Sequence, residues 1–204
     1  MIDDKFDIKI RQMHAALEGM ASDDLSSVTP QVGMENGFHY VKMDFNQNAD
    51  EAALANSATL LIANIATMKD HLKVWCKRKC VDFYGDTLIN SNREVALIHD
   101  LWNIDKHAEL SSRSRSGFKP QLQNLRKCLQ IQAGNDPNSG SFWQMDTLTG
   151  QVTTGTTGSG SIQISITAQV VDDNGNVLGN FTEICTKAVD EWTNVLLAAG
   201  VPLP

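Results

Sequence analysis

The stretch from about Ala49 to Lys79 constrains the fold most. Leu54, Ala58, Leu61, Ile65, Met68, Leu72 and Trp75 recur at steps of three and four, an apolar stripe that only a helix keeps on one face. Asn48 and Asp50 are the candidate N-caps. A helix of this length with one apolar side must bury that side against other elements. Two segments supply partners. Phe6, Ile10, Met13 and Leu17 fall at helical spacing between Asp4 and Gly19, and Leu97, Leu101, Ile104 and Ala108 do so between Arg93 and Leu110. His99, Asn103 and Lys106 share a different face of the latter helix.

The C-terminal part has another texture. Ile162, Ile164, Ile166, Ala168 and Val170 alternate with other residues, which predicts a half-buried strand. Asp173-Asn174-Gly175-Asn176 is a tight-turn signal, with Val177 to Phe181 as the returning strand. Leu125–Gln132, Phe142–Leu148 and Phe38–Phe45 are further strand candidates. A last helix is predicted from about Glu183 to Ala199, with Ile184, Ala188, Trp192, Val195 and Leu196 on one face and Gly200 at its end. The remaining segments are expected to be connections. Ser22–Gly37 is polar and turn-rich, Asp82–Asn92 is a polar link, Ser111–Gly117 is a flexible basic link, and Thr153–Ser161 is a mobile Gly/Thr/Ser loop. The expected fold class is α+β. An antiparallel helical bundle carries a small C-terminal antiparallel β-sheet and a closing helix. The 204 residues are read as a single domain, with 1–112 mainly helical and 113–204 holding the hairpin region and last helix.

No apolar run reaches the ~20 residues that cross a bilayer, and the acidic start, Met1 to Lys5, lacks a secretory core. The chain is therefore expected in the cytoplasm and away from membranes. Its four cysteines (Cys76, Cys80, Cys128, Cys185) are then expected as reduced thiols. The net charge of −7 argues against a general nucleic-acid coat. Charge is uneven, however: basic residues outnumber acidic ones twelve to seven between Lys69 and Lys127, which leaves room for a local basic surface.

Two signatures lie on the central helices, Ala63-Asn64-Ile65-Ala66-Thr67-Met68-Lys69-Asp70-His71-Leu72 and His99-Asp100-Leu101-Trp102-Asn103-Ile104-Asp105-Lys106-His107. They resemble a family of uncharacterised bacterial proteins. Its first helix reads Asn-Leu-Arg-Ser-Ala-Leu-Asp-His-Leu, and its second reads Leu-His, a gap, then Asn-Ile-Asp-Lys-His. On that resemblance Asn64, Asp70, His71 and Leu72 match the first signature, and His99, Asn103, Ile104, Asp105, Lys106 and His107 the second. Ala66 stands where the family tends to have Arg. The family is similar in outline to HEPN bundles, which include toxins, ribonucleases and non-catalytic binding domains. The resemblance also implies a bacterial defence or mobile-element setting.

Three functions follow as expectations. The first is a non-enzymatic HEPN-like binding or interaction domain using Asn64, Asp70, His71, Asn103, Asp105, Lys106 and His107, with RNA or a protein as the partner and a homodimer left open. The second is a metal-independent endoribonuclease with His99 or His71 as base and Arg93 beside the phosphate, since five residues separate Arg93 and His99. The third is a structural subunit in which His71 meets Asn103 and His107 in a buried polar network tying two helices together. No cofactor or metal is expected. Gly155–Gly160 has no Lys after its last Gly and precedes a strand, and His71, Cys76 and Cys80 lack ligand spacing.

Overall fold

A computed structural model describes residues 4–22, 30–35, 38–43, 50–107, 114–132, 134–146, 148–149 and 152–203. The elements run α1 (Asp4–Glu18), β1 (Ala21–Ser22), β2 (Pro30–Glu35), β3 (Phe38–Met43), α2 (Glu51–Lys79), α3 (Gly85–Ser91), α4 (Arg93–His107), β4 (Gln121–Gln132), β5 (Gly140–Met145), β6 (Val152–Thr157), β7 (Ser161–Val171), β8 (Val177–Asn180) and α5 (Phe181–Ala198). The class is α+β, as expected, with the C-terminal helix closing the bundle.

The chain divides into two compact units. One comprises residues 1–20, 52–125 and 167–204, and the other 21–51 and 126–166. The first holds the helices. Every residue of the α2 stripe from Leu54 to Trp75 is buried, and Phe6, Ile10 and Met13 of α1 are buried too. Ile89, Leu97, Ile98, Phe181, Trp192 and Leu196 complete this core at under 2 % exposure. These side chains lose nearly all contact with water, each worth roughly 1.5–3 kcal/mol of transfer free energy. The α1 and α2 helices run antiparallel, since Phe6 meets Trp75 with ring centroids 6.1 Å apart while Lys9, a turn further along α1, acts on His71, a turn earlier on α2. The α4 helix packs closely on α5.

The helix ends follow local chemistry. Asn92 accepts the Val95 N–H at 3.0 Å, and Asn180 accepts the Glu183 N–H at 3.2 Å. The α2 helix closes at Cys80, whose φ of 55° is left-handed, with the Val81 N–H returned to the Cys76 carbonyl at 3.1 Å. Gly200 does the same for α5 at φ 78°, with the Val201 N–H on the Leu196 carbonyl at 2.9 Å.

In the strands, β7 lies between β1 and β4 and also pairs with β8, while β2–β3 and β5–β6 form separate two-stranded antiparallel sheets. The β7–β8 turn forms where predicted. Gly175 has φ 82°, and Asp172 gathers the Asn174 and Asn176 N–H groups at 2.9 and 2.8 Å and the Asn176 side chain at 2.9 Å.

Four segments expected as connections differ. Residues 30–35 form β2, pairing Val32 with Val41, because a partner strand overrides weak propensity. Residues 85–91 form α3, with Gly85, Leu88 and Ile89 buried. Residues 152–157 form β6, where β-branched threonines suit a strand and Gly155 leaves room for the ring of its cross-strand partner Phe142. The described end of the fourth, residues 114–117, is tied to Asp100 of α4. Asn48 and Ala108–Arg113 lie outside the described residues, as does the last part of the Phe38–Phe45 strand.

Candidate polar site and pockets of the helical unit

Asp100 organises the helical unit's polar interior. It is 1 % exposed on α4, and its carboxylate receives the Ser114 hydroxyl at 2.7 Å, the Arg115 N–H at 3.0 Å, and the Ser116 N–H and hydroxyl at 2.8 and 2.7 Å. A buried carboxylate is tolerated only with this degree of satisfaction. The described part of the segment read as a flexible link, residues 114–117, is thus folded onto a buried acid. A signal for it existed in the sequence: Asp100 stands three residues after Leu97 and four before Ile104, on the face that the core needs.

The loop delivers Arg115 to the helices, where its guanidinium donates to the Asn90 side chain of α3. Nearby, Lys69 of α2 pairs with Asp86 of α3 at 2.9 Å. That hydrogen bond holds the Asp86 carboxyl below the usual carboxylate range, assisted by the charges of Lys69, Arg115 and Lys73. His99 sits half-buried beside this set. Burial first, and then Lys69, push its pKa down, with Arg115 adding to the shift and Asp100 and Asp70 opposing it. The Asn103 amide lies 3.0 Å from His99 Nδ1. In the tautomer with its proton on Nε2, Nδ1 accepts from this amide.

The residues singled out from sequence divide accordingly. His99 and Asn103 are brought together. Arg93 does not join them. Its guanidinium donates to the Leu178 carbonyl of β8 at 2.7 Å and lies 3.9 Å from Glu94. Six residues of helix also rotate it roughly 120° away from His99. Asn64 donates back to the Leu60 carbonyl of its own helix at 2.9 Å. Asp70, Asp105, Lys106 and His107 are exposed. His71 faces α1, where burial and Lys9 lower its pKa and Asp70 opposes them. The expected network of His71, Asn103 and His107 is therefore not assembled, because His71 projects to the opposite side of α2 from α4. Ala66 is 6 % exposed, so the family's arginine there would be a buried cation.

Two pockets flank these positions. One, of about 250 Å³, is lined by Thr59 and Ile62 of α2, Leu101, Ile104 and Asp105 of α4, and Pro120–Leu122. It joins α2 to the second signature and is mainly apolar, with Asp105 the one carboxylate among its described lining residues. The other, of about 340 Å³, lies between α1 and α2 and contains His71. No group of three or more His, Cys, Asp or Glu suited to a metal occurs among the described residues, and no described helix is long and apolar enough to cross a membrane. The cysteines are free thiols; burial raises the pKa of Cys76 and raises that of Cys185 strongly.

No family model, curated protein or solved structure matches this chain.

Proposed function

We propose that this chain is a non-enzymatic, HEPN-like binding or interaction domain of the bacterial cytoplasm. The observation that carries this reading is the pocket of about 250 Å³ formed where α2 meets Ile104 and Asp105 of the second signature. A mainly apolar cleft edged by the Asp105 carboxylate suits an apolar group that carries a cation or hydrogen-bond donor, such as a side chain of a protein partner. Two further facts favour binding over turnover. Arg93 is engaged by the Leu178 carbonyl, and His99 Nδ1 is engaged by Asn103.

The test uses benzylamine as a probe, followed by NMR on the full chain. Shifts at Ile62, Leu101 and Ile104 that saturate, and that Asp105→Asn weakens, support the proposal. Absence of shifts at those residues up to solubility counts against it.

An endoribonuclease is the second reading, favoured by the lowered pKa of His99 with Lys69 and Arg115 close by. These two cations would take the role assigned to Arg93. Cleavage of single-stranded RNA in the presence of chelator, lost in His99→Ala, would establish it and displace the first reading.

A further inference from the structure

Asn174 and Gly175 stand together in the β7–β8 turn, a pair whose backbone can react with its own side chain. Glycine has no Cβ to hold its nitrogen away from the preceding residue. When that nitrogen meets the Asn174 side-chain carbonyl carbon, a five-membered ring closes. We propose that Asn174 is a modification site of the native protein, deamidated slowly and spontaneously, and that Asp172 is the latch that sets the rate.

Both residues are exposed, and a Cβ built on Gly175 meets nothing within 4 Å, so water reaches this position. Among the described residues, the Asn174 side-chain amide makes only a long contact of 3.4 Å, to the Asp173 carboxylate. The fold restrains the nucleophile instead. The Gly175 N–H donates to the Asp172 carbonyl at 3.0 Å, and the Asp172 N–H donates to the Asn176 carbonyl at 3.0 Å. The Asp172 carboxylate accepts the Asn174 N–H at 2.9 Å, the Asn176 N–H at 2.8 Å and the Asn176 side chain at 2.9 Å. All of these bonds run through one residue. While they hold, the Gly175 nitrogen keeps its proton and its position. The strand beyond is lightly fixed, since β8 pairs with β7 at three positions across a register shift. Pairings this short open more often than a whole chain unfolds.

The step needs only water and hydroxide. Hydroxide takes the Gly175 amide proton in the open turn. The nitrogen forms a bond to Asn174 Cγ, the Cγ–Nδ2 bond breaks, and ammonia leaves with a proton from water. Water then opens the succinimide at either carbonyl and leaves aspartate or isoaspartate at position 174. The net exchange is water for ammonia, and nothing is oxidised. Either product adds a carboxylate beside Asp172 and Asp173. Isoaspartate also lengthens the main chain by a methylene, so the turn no longer closes on Asp172 in register. Leu178 of the loosened β8 is the residue whose carbonyl engages Arg93, so the change passes to α4.

The test incubates the full chain, folded, at neutral pH for weeks. Peptide mapping by mass spectrometry then reads position 174, and an isoaspartyl methyltransferase labels isoaspartate. Mapping separates this site from Asn36–Gly37, the other Asn-Gly pair of the sequence. Product should accumulate at position 174. Asp172→Ala should speed it about tenfold, and Asn176→Ala, which removes a single side-chain bond, about threefold. Ile10→Val, on the buried face of α1, makes global unfolding about fivefold more frequent but should leave the rate within about twofold. Circular dichroism checks that each variant is folded, and Asn176→Ala carries the test if Asp172→Ala is not. An unmodified position 174 in the folded chain, with reaction only in urea, overturns the proposal. So does an unchanged rate in the turn variants, or an acceleration in Ile10→Val as large as in Asn176→Ala, which would assign the reaction to global unfolding.

Discussion

Ser116 places both its backbone N–H and its hydroxyl on one oxygen of Asp100, at 2.8 and 2.7 Å, and so is tied to α4. Two further donors, the Ser114 hydroxyl and the Arg115 N–H, complete the carboxylate. Replacing Asp100 with Ala strands these donors in a site that excludes water. The expected loss of stability is about 2–4 kcal/mol, read by urea denaturation. Asp100→Asn keeps the shape but turns one acceptor into a donor facing donors, and should lose a comparable part. A loss below about 0.5 kcal/mol for both would show that the loop is not held by this residue.

His99 and His71 give the protein a pH response above the carboxylate range. Both have pKa values lowered in the fold, by burial and then by Lys69 or Lys9 respectively. The unfolded chain therefore takes up protons at higher pH than the folded one. The stability present at neutral pH should fall as pH drops through the ordinary imidazole range, and keep falling until the lowered folded values are passed. Thermal unfolding followed from pH 7.5 to 5 checks this. His99→Gln should flatten part of the slope, and an unaltered slope would assign the effect elsewhere.

Lys69 connects two observations, its ion pair with Asp86 at 2.9 Å and its charge acting on His99. Lys69→Met should raise the His99 pKa toward its ordinary value, seen by NMR titration of the imidazole. Asp86 is half exposed in this pair, so solvent screening leaves the pair worth at most about 1 kcal/mol by double-mutant cycle. The Asp86 carboxyl should titrate higher in the same variant, since the Lys69 hydrogen bond is the largest cause of its lowering.

Cys80 ends α2 at φ 55°, a left-handed conformation that strains a residue with a Cβ. It is exposed and its side chain is a free thiol. Cys80→Gly removes the strain at some cost in unfolded-state entropy, so a gain of about 0.5–1 kcal/mol is expected in denaturant unfolding. A loss would mean that the thiol makes a contact of its own.

The α-helical half was legible because its signals are long. Seven apolar residues over 22 positions define one face of α2, and all seven are buried. The hairpin at Gly175 was legible because only a few residue types accept its backbone angles. The β2 and β6 strands were not, since polar, glycine-containing segments become strands through the partner they pair with, and partners are far away in sequence. The α3 helix has seven residues, too few to show a period, and forms because Leu88 and Ile89 have a core to enter.

The site divides along the same line. Spacing alone places His99 and Asn103 a helical turn apart, and they do meet. Spacing also suggested Arg93 with His99, and His71 with Asn103 and His107. Those pairings depend on how helices are rotated about their axes, which is set by burial of whole apolar faces and not by any one polar residue. That rotation turns His71 toward α1 and gives Arg93 to Leu178. By itself the sequence determined which residues lie on which face of each helix, because 3.6 residues per turn is a local rule. Only the tertiary structure decided which faces meet. That choice brought Arg115 and Lys69 to His99 and buried Asp100.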